Sequence, residues 1–173
     1  MQIEAIQADI TTQEVDAIVN AASSTLMGGG GVDGAIHAAA GPTLLHECRR
    51  LRAARWHDGL PVGEAVATGA GSLAAQWVIH TVGPNAHRGQ TDPAQLASCF
   101  RRSLDVATQV GARSVAFPAI SAGVYGWDGA RVAEIAVRTT REWAEADATG
   151  LGLVRFVLFS PGLLALFDEA LQR

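Results

Sequence analysis

This chain contains no lysine: all 13 basic residues among its 173 are arginine. That absence excludes enzymes that form a Schiff base on lysine and nucleotide loops that set a lysine beside a phosphate. Cysteine is nearly as scarce. Cys48 and Cys99 make no disulfide framework, which points to reduced thiols and a cytoplasmic protein. No apolar run approaches the ~20 residues that cross a membrane. The first residues, MQIEAIQADI, have neither the basic stretch nor the cleavage pattern of an export signal. His37, His46, His57, His80 and His87 have no cysteine or carboxylate at metal-ligand spacing, so no metal and no cofactor is expected, and no GxSxG elbow announces a nucleophile. Net charge is −4, and in so acidic a chain Arg49, Arg50, Arg52 and Arg55 read as a solvated helix face, not a polynucleotide-binding surface.

What is present is an apolar interior and glycine. With 49% apolar and 17% charged residues, residues 1–173 are expected to form a single domain with a full core. The densest information lies in VNAASSTLMGGGGVDGAIHAAAG, from Val19 to Gly41. An apolar run ends in Asn20, the glycines Gly28 to Gly31 follow, and Asp33 stands where a helix begins. Consecutive glycines are entropically costly and suit positive φ or a ligand lying against the backbone. A strand, a glycine loop and a helix N-terminus make an anion site, so a phosphate-bearing small molecule is expected here. Gly29-x-Gly31-x-x-Gly34 matches the dinucleotide fingerprint only formally, because its first glycine lies too far from the strand end and no acidic residue ends a following strand at the right distance.

Strands are expected at Ile3 to Ala8, Val15 to Ala21, Glu64 to Gly69, Trp77 to Val82, Ser114 to Ala119 and Leu153 to Phe159. Thr11-Thr12-Gln13 reads as a turn. Helices are expected over Asp33 to Ala40, Pro42 to Arg55, from Asp92-Pro93 to Gly111, from Asp128 past Trp143, and after Ser160-Pro161. Alternating strands and helices argue for an α/β sheet with helices on both faces and a ligand crevice beyond the strands' carboxyl ends. That rule selects two loops, Ala22 to Val32 and Ile120 to Trp127. The second carries Ser121, Ala122, Gly123, Val124 and Tyr125, whose amides suit a second phosphate nest. Asp33 reads either as the helix N-cap or as an acid facing the bound molecule. Asn20, depleted in strands as a type, suits a sugar hydroxyl. His37 and His80 read as core-facing residues with satisfied rings.

These loops, with Gln7-Ala8-Asp9-Ile10-Thr11, His80-Thr81-Val82-Gly83-Pro84 and Phe117-Pro118-Ala119-Ile120-Ser121, give ordered blocks along nearly the whole chain. The chain resembles the macrodomain family, specifically its MacroD type. The resemblance implies a three-layer α/β/α fold with a mixed, largely parallel sheet flanked by helices. It implies ADP-ribose binding and metal-independent hydrolysis of ADP-ribose esters, on acidic side chains of ADP-ribosylated proteins or in O-acetyl-ADP-ribose. By position, Asp9 and Ile10 would hold adenine and Phe159 would pack on its ring. Gly29, Gly30, Gly31 and Val32, with Ser121 to Tyr125, would cradle the diphosphate, and Asn20 and Asp33 would serve catalysis at the distal ribose. Ser23 stands where the family usually has asparagine, Ala8 where it has glycine and Ala122 where it has threonine. Ser23 favours the alternative of a non-catalytic ADP-ribose reader. A monomer is expected, since no exposed apolar stripe demands a partner.

Overall fold

The computed structural model describes residues 1–146 and 150–173. Six strands form one sheet: β1 (Gln2–Gln7), β2 (Ala17–Ala21), β3 (Ala65–Gly69), β4 (Trp77–Thr81), β5 (Ser114–Phe117) and β6 (Leu153–Leu158). Their spatial order is β1-β6-β5-β2-β4-β3. Every pairing is parallel except β3 with β4. The helices are α1 (Gly31–Ala40), α2 (Pro42–Ala54), α3 (Pro93–Gln109), α4 (Gly129–Ala146) and α5 (Pro161–Gln172). The expected three-layer arrangement is therefore present, with β1 shifted one residue toward the N-terminus and the other strands one or two residues shorter than the apolar runs. The Thr11 to Gln13 turn is a single 3-10 turn, Ile10–Thr12, capped by Asp9.

Side chains alternate across a strand with a period of two, and that parity assigns each layer. Val19, Ile79, Val115, Phe117, Val154 and Phe156 pack with α3, α4 and α5. Ile18, Val78, Ala116 and Val157 face α1 and α2. Phe100 of α3, Phe117, Phe156 and Phe167 of α5 form a chain of rings, with centroids 5.3 Å apart for Phe100 and Phe117 and 5.1 Å for Phe156 and Phe167. All four are fully buried, each contributing about 1.5–3 kcal/mol of apolar transfer energy. Helix starts follow the sequence signals. Asp92 accepts from the Ala94 amide at 2.9 Å ahead of Pro93, and Ser160 accepts from the Leu163 amide at 3.2 Å ahead of Pro161.

The same parity has a consequence for chemistry. Asn20 follows Ile18 by two residues and His80 follows Val78 by two, so both polar side chains point at the α1–α2 face. Asn20 and His80 are also register partners across β2 and β4, and His80 pairs with Val66 on β3. A polar row therefore crosses an otherwise apolar sheet face beneath α1.

Candidate functional site

Four parallel strands, β1, β6, β5 and β2, end on one edge of the sheet, and each delivers a different segment there. β1 delivers Asp9 and Ile10, β6 delivers Phe159, β5 delivers Ser121 to Tyr125, and β2 delivers Asn20 and the glycine loop. Positions far apart in sequence thus stand in a line three strand spacings long, about 14 Å.

At the β1 end, Asp9 is exposed and Ile10 is buried. Asp9 Oδ1 accepts from the Thr11 amide at 2.9 Å and the Thr11 hydroxyl at 2.7 Å. The Thr11 hydroxyl and amide together hold the Asp9 carboxyl below the usual carboxylate range. Among the described residues Oδ2 has no partner, so Asp9 presents an ionised acceptor to the edge. Phe159 stands next to it in strand order, 74% exposed. An exposed ring at a strand end is a platform for a flat apolar ligand face.

The two loops between supply donors. Gly28 and Gly31 have φ of +88° and +59°, and α1 begins at Gly31 with Gly30 as its cap. A Cβ added at Gly30 or Gly31 would meet nothing within 4 Å, so open ground lies above the helix end. Among the described residues the amides of Gly28 to Gly31 have no acceptor within the chain. Val32 follows, half-buried in the first turn. In the β5 loop Ser121 takes φ +69°, and its hydroxyl donates to the Pro84 carbonyl at 2.8 Å. The Ala122 amide is committed to the Ala119 carbonyl at 3.1 Å, whereas those of Gly123, Val124 and Tyr125 have no acceptor among the described residues. Val124 is 84% exposed and Tyr125 half-buried. Among the described residues the open amides of this loop are therefore those of Ser121 and of residues 123 to 125.

Asp33 is the third residue of α1, not its cap, because the glycine loop winds into helix three residues earlier than an aspartate cap would allow. It is 5% exposed. Asn20 Nδ2 donates to Asp33 Oδ1 at 2.9 Å and lies 3.2 Å from His80 Nδ1. Asn20 is fully buried beneath Asp33, so its amide is engaged by neighbouring side chains rather than open to the crevice. His80 is also fully buried and holds Thr68 Oγ1 at 3.0 Å through Nε2. Burial, with His37 nearby, pushes the His80 ring down to about 3, so it is neutral at pH 7. The satisfied ring expected of both histidines holds for His80 and fails for His37. His37 Nε2 is 3.4 Å from Asp33 Oδ1, yet that buried atom makes no hydrogen bond among the described residues. Ser23 is half-buried, its hydroxyl 2.9 Å from that of Thr25.

Two further residues matter that composition did not flag. Arg52 is not a solvated face residue. It donates to the carbonyls of Trp56 (2.8 Å), Thr25 (2.8 Å) and His57 (3.2 Å), tying the loop after β2 to the end of α2. The Leu60 amide adds a bond to the Ser24 carbonyl at 2.8 Å. The only sequence signal was helical spacing, which put Arg49 and Arg50 outward and Arg52 toward the loop. Trp127 follows the β5 loop half-buried, with an indole N–H that has no hydrogen-bond partner among the described residues. Among the described residues no cluster of three or more histidine, cysteine or acidic side chains is placed to hold a metal ion.

The Macro domain family profile matches residues 19–136. A Streptomyces griseus macro domain-containing protein is 54% identical over 172 residues, spanning 98% of this chain and 94% of that protein. A Citrobacter rodentium protein named O-acetyl-ADP-ribose deacetylase is 54% identical over 173 residues, spanning 99% of this chain and 96% of that protein. Among solved structures, the Oceanobacillus iheyensis macrodomain with ADP superposes with a TM-score of 0.90 at 39% identity, covering 97% of this chain and 88% of that one. The Trypanosoma brucei macrodomain in complex with ADP-ribose gives 0.88 at 36% identity, covering 98% and 68%.

Proposed function

The chain belongs to the Macro domain family, and on that premise we propose that it binds ADP-ribose and hydrolyses esters of the distal ribose without a metal. The substrates are O-acetyl-ADP-ribose and mono-ADP-ribose esterified to acidic side chains. Adenine lies between Asp9 and Phe159, the diphosphate receives the amides of the two loops, and the distal ribose lies at Asp33. Amides and a helix end neutralise a diphosphate without a lysine, which suits a chain that has none.

The observation that carries this reading is the Asp33 carboxylate, almost buried in the first turn of α1, with one oxygen held by Asn20 at 2.9 Å. An anion beside a diphosphate is unfavourable, and a chain that keeps one there has a use for it. Asp33 accepts a proton of a water molecule and turns its lone pair to the ester carbon. Water adds, the ester C–O bond breaks, the ribose oxygen takes a proton, and a carboxylic acid leaves. A ligand phosphate oxygen can share in orienting the water.

One observation favours the reader alternative. Ser23, where the family usually has asparagine, is paired with Thr25, which leaves the distal ribose with one fewer amide contact. Binding is tested by calorimetry with ADP-ribose, AMP and ribose 5-phosphate. ADP-ribose is expected to bind at micromolar affinity, and each fragment at least about tenfold more weakly, 1.4 kcal/mol. Equal affinity for AMP would remove the diphosphate and distal ribose from the site.

A further inference from the structure

The polar row under α1 contains more than the site needs for contact with a ligand. Asn20 is fully buried, and among the described residues its Oδ1 has no hydrogen-bond partner. An unpaired buried carbonyl costs about 1–3 kcal/mol, and a flipped amide would merely exchange which atom is orphaned unless something fixes the orientation. Both neighbours do. Asp33 Oδ1 lies 2.9 Å from Nδ2 and is an acceptor. His80 Nδ1 lies 3.2 Å from the same nitrogen. The role of Nδ1 follows from the far side of the ring. Thr68 Oγ1 donates its one proton to the Gly69 carbonyl at 2.9 Å, so toward His80 Nε2, 3.0 Å away, it accepts. Cys48 Sγ, 3.8 Å from Nε2, is a weaker partner that can also accept, and the Asn20 amide nitrogen that donates to Asp33 faces Nδ1, so Nε2 carries the ring proton and Nδ1 is bare. A flipped Asn20 would set its oxygen against two acceptors at once.

From this chain of donors we infer that His80 is a positioning residue for the proposed hydrolysis: its bare Nδ1 locks the Asn20 amide so that one N–H is always aimed at Asp33. The consequence is a single orientation of the Asp33 carboxylate, with Oδ1 tied down and Oδ2 presented to the water. His80 touches no ligand, being fully buried two side chains from the crevice. It acts through Asn20, and Thr68 sets its tautomer. Register alone brings these groups together, since Asn20 and His80 are 60 residues apart.

The inference rests on the hydrolase reading for its kinetic effect, but not for its geometry, and the test separates the two. Long-range proton–nitrogen correlation spectra of the free wild-type protein are expected to show His80 protonated at Nε2 and bare at Nδ1 at pH 7. The opposite tautomer would overturn the lock. Two variants then divide the ring's functions. His80→Gln can reach Thr68 but offers nothing at the Nδ1 position, whereas His80→Asn keeps an acceptor at that position and loses Thr68. In His80→Gln the Asn20 side-chain amide resonances should shift and kcat should fall about 10²-fold, with the dissociation constant for ADP-ribose unchanged. His80→Asn should keep those resonances near their wild-type positions and recover at least about tenfold of kcat. A merely structural histidine would show no such rescue, since His80→Asn removes as much volume as His80→Gln or more. Turnover by folded His80→Gln equal to wild type would refute the positioning role. A wild type that binds ADP-ribose without turning over esters refutes the hydrolase reading instead, and the tautomer and amide resonances still decide the lock.

Discussion

Asp33→Asn is expected to lower kcat for ester hydrolysis about 10³-fold, the middle of the range for removing a general base. The substitution keeps side-chain shape, and the carbonyl of the introduced amide can still accept from Asn20 as Asp33 Oδ1 does now at 2.9 Å. The fold and the polar row should therefore survive. Binding should not suffer. The variant removes a negative charge beside the proposed diphosphate, so the affinity for ADP-ribose should equal or exceed that of wild type. A loss of kcat with binding retained is the signature of an interaction used in the transition state and not in the ground state. Calorimetry and single-turnover kinetics on the same preparation read both quantities. Turnover within tenfold of wild type would move the basic role to the ligand's own phosphate.

Gly34→Ala is expected to abolish measurable ADP-ribose binding while leaving most of the fold intact. Alanine inside a helix ordinarily gains about 1 kcal/mol over glycine, and Gly34 lies in the middle of α1's first two turns. A Cβ built there would stand 2.4 Å from the Gly29 carbonyl oxygen, a backbone atom. The loop has to move, and overpacking of this kind costs about 1–3 kcal/mol. It is also the loop whose unpaired amides face open ground, so a shift of a few tenths of an ångström misaims every donor at once. Gly162→Ala in α5, where a Cβ meets nothing within 4 Å, is the control and should be neutral or slightly stabilising. Urea midpoints and calorimetry check both. Wild-type affinity in Gly34→Ala would show that the loop tolerates displacement and does not hold the diphosphate.

Much of this architecture was readable in the sequence because it is written in short-range patterns. Apolar runs bounded by turn residues placed all six strands, and Asp92-Pro93 and Ser160-Pro161 placed two helix starts to the residue. The glycine loop pointed to positive-φ turns on conformational grounds alone, and Gly28 and Gly31 have them. What was not legible depends on contacts between distant positions. Asp33 could be cap or acid from spacing, and only the winding of Gly31 into helix decides that it is not the cap. His37 and His80 look alike in sequence, each in an apolar setting. β2 and β3, on either side of β4, bring Asn20 and Thr68 to His80, whereas His37 makes no hydrogen bond among the described residues and only approaches Asp33 Oδ1 at 3.4 Å. Arg52 looked like its neighbours Arg49 and Arg50; two of its carbonyl partners, Trp56 and His57, are local, and the one that gives it its role, Thr25, comes from the loop after β2.

The most direct test of the central proposal is release of free ADP-ribose from a protein mono-ADP-ribosylated on glutamate or aspartate, followed with and without EDTA. Undiminished release in the chelator by wild type, and none by Asp33→Asn, is the expected result. Substrate bound at micromolar affinity and protected from release by wild type would contradict hydrolysis and make the chain a reader of ADP-ribose.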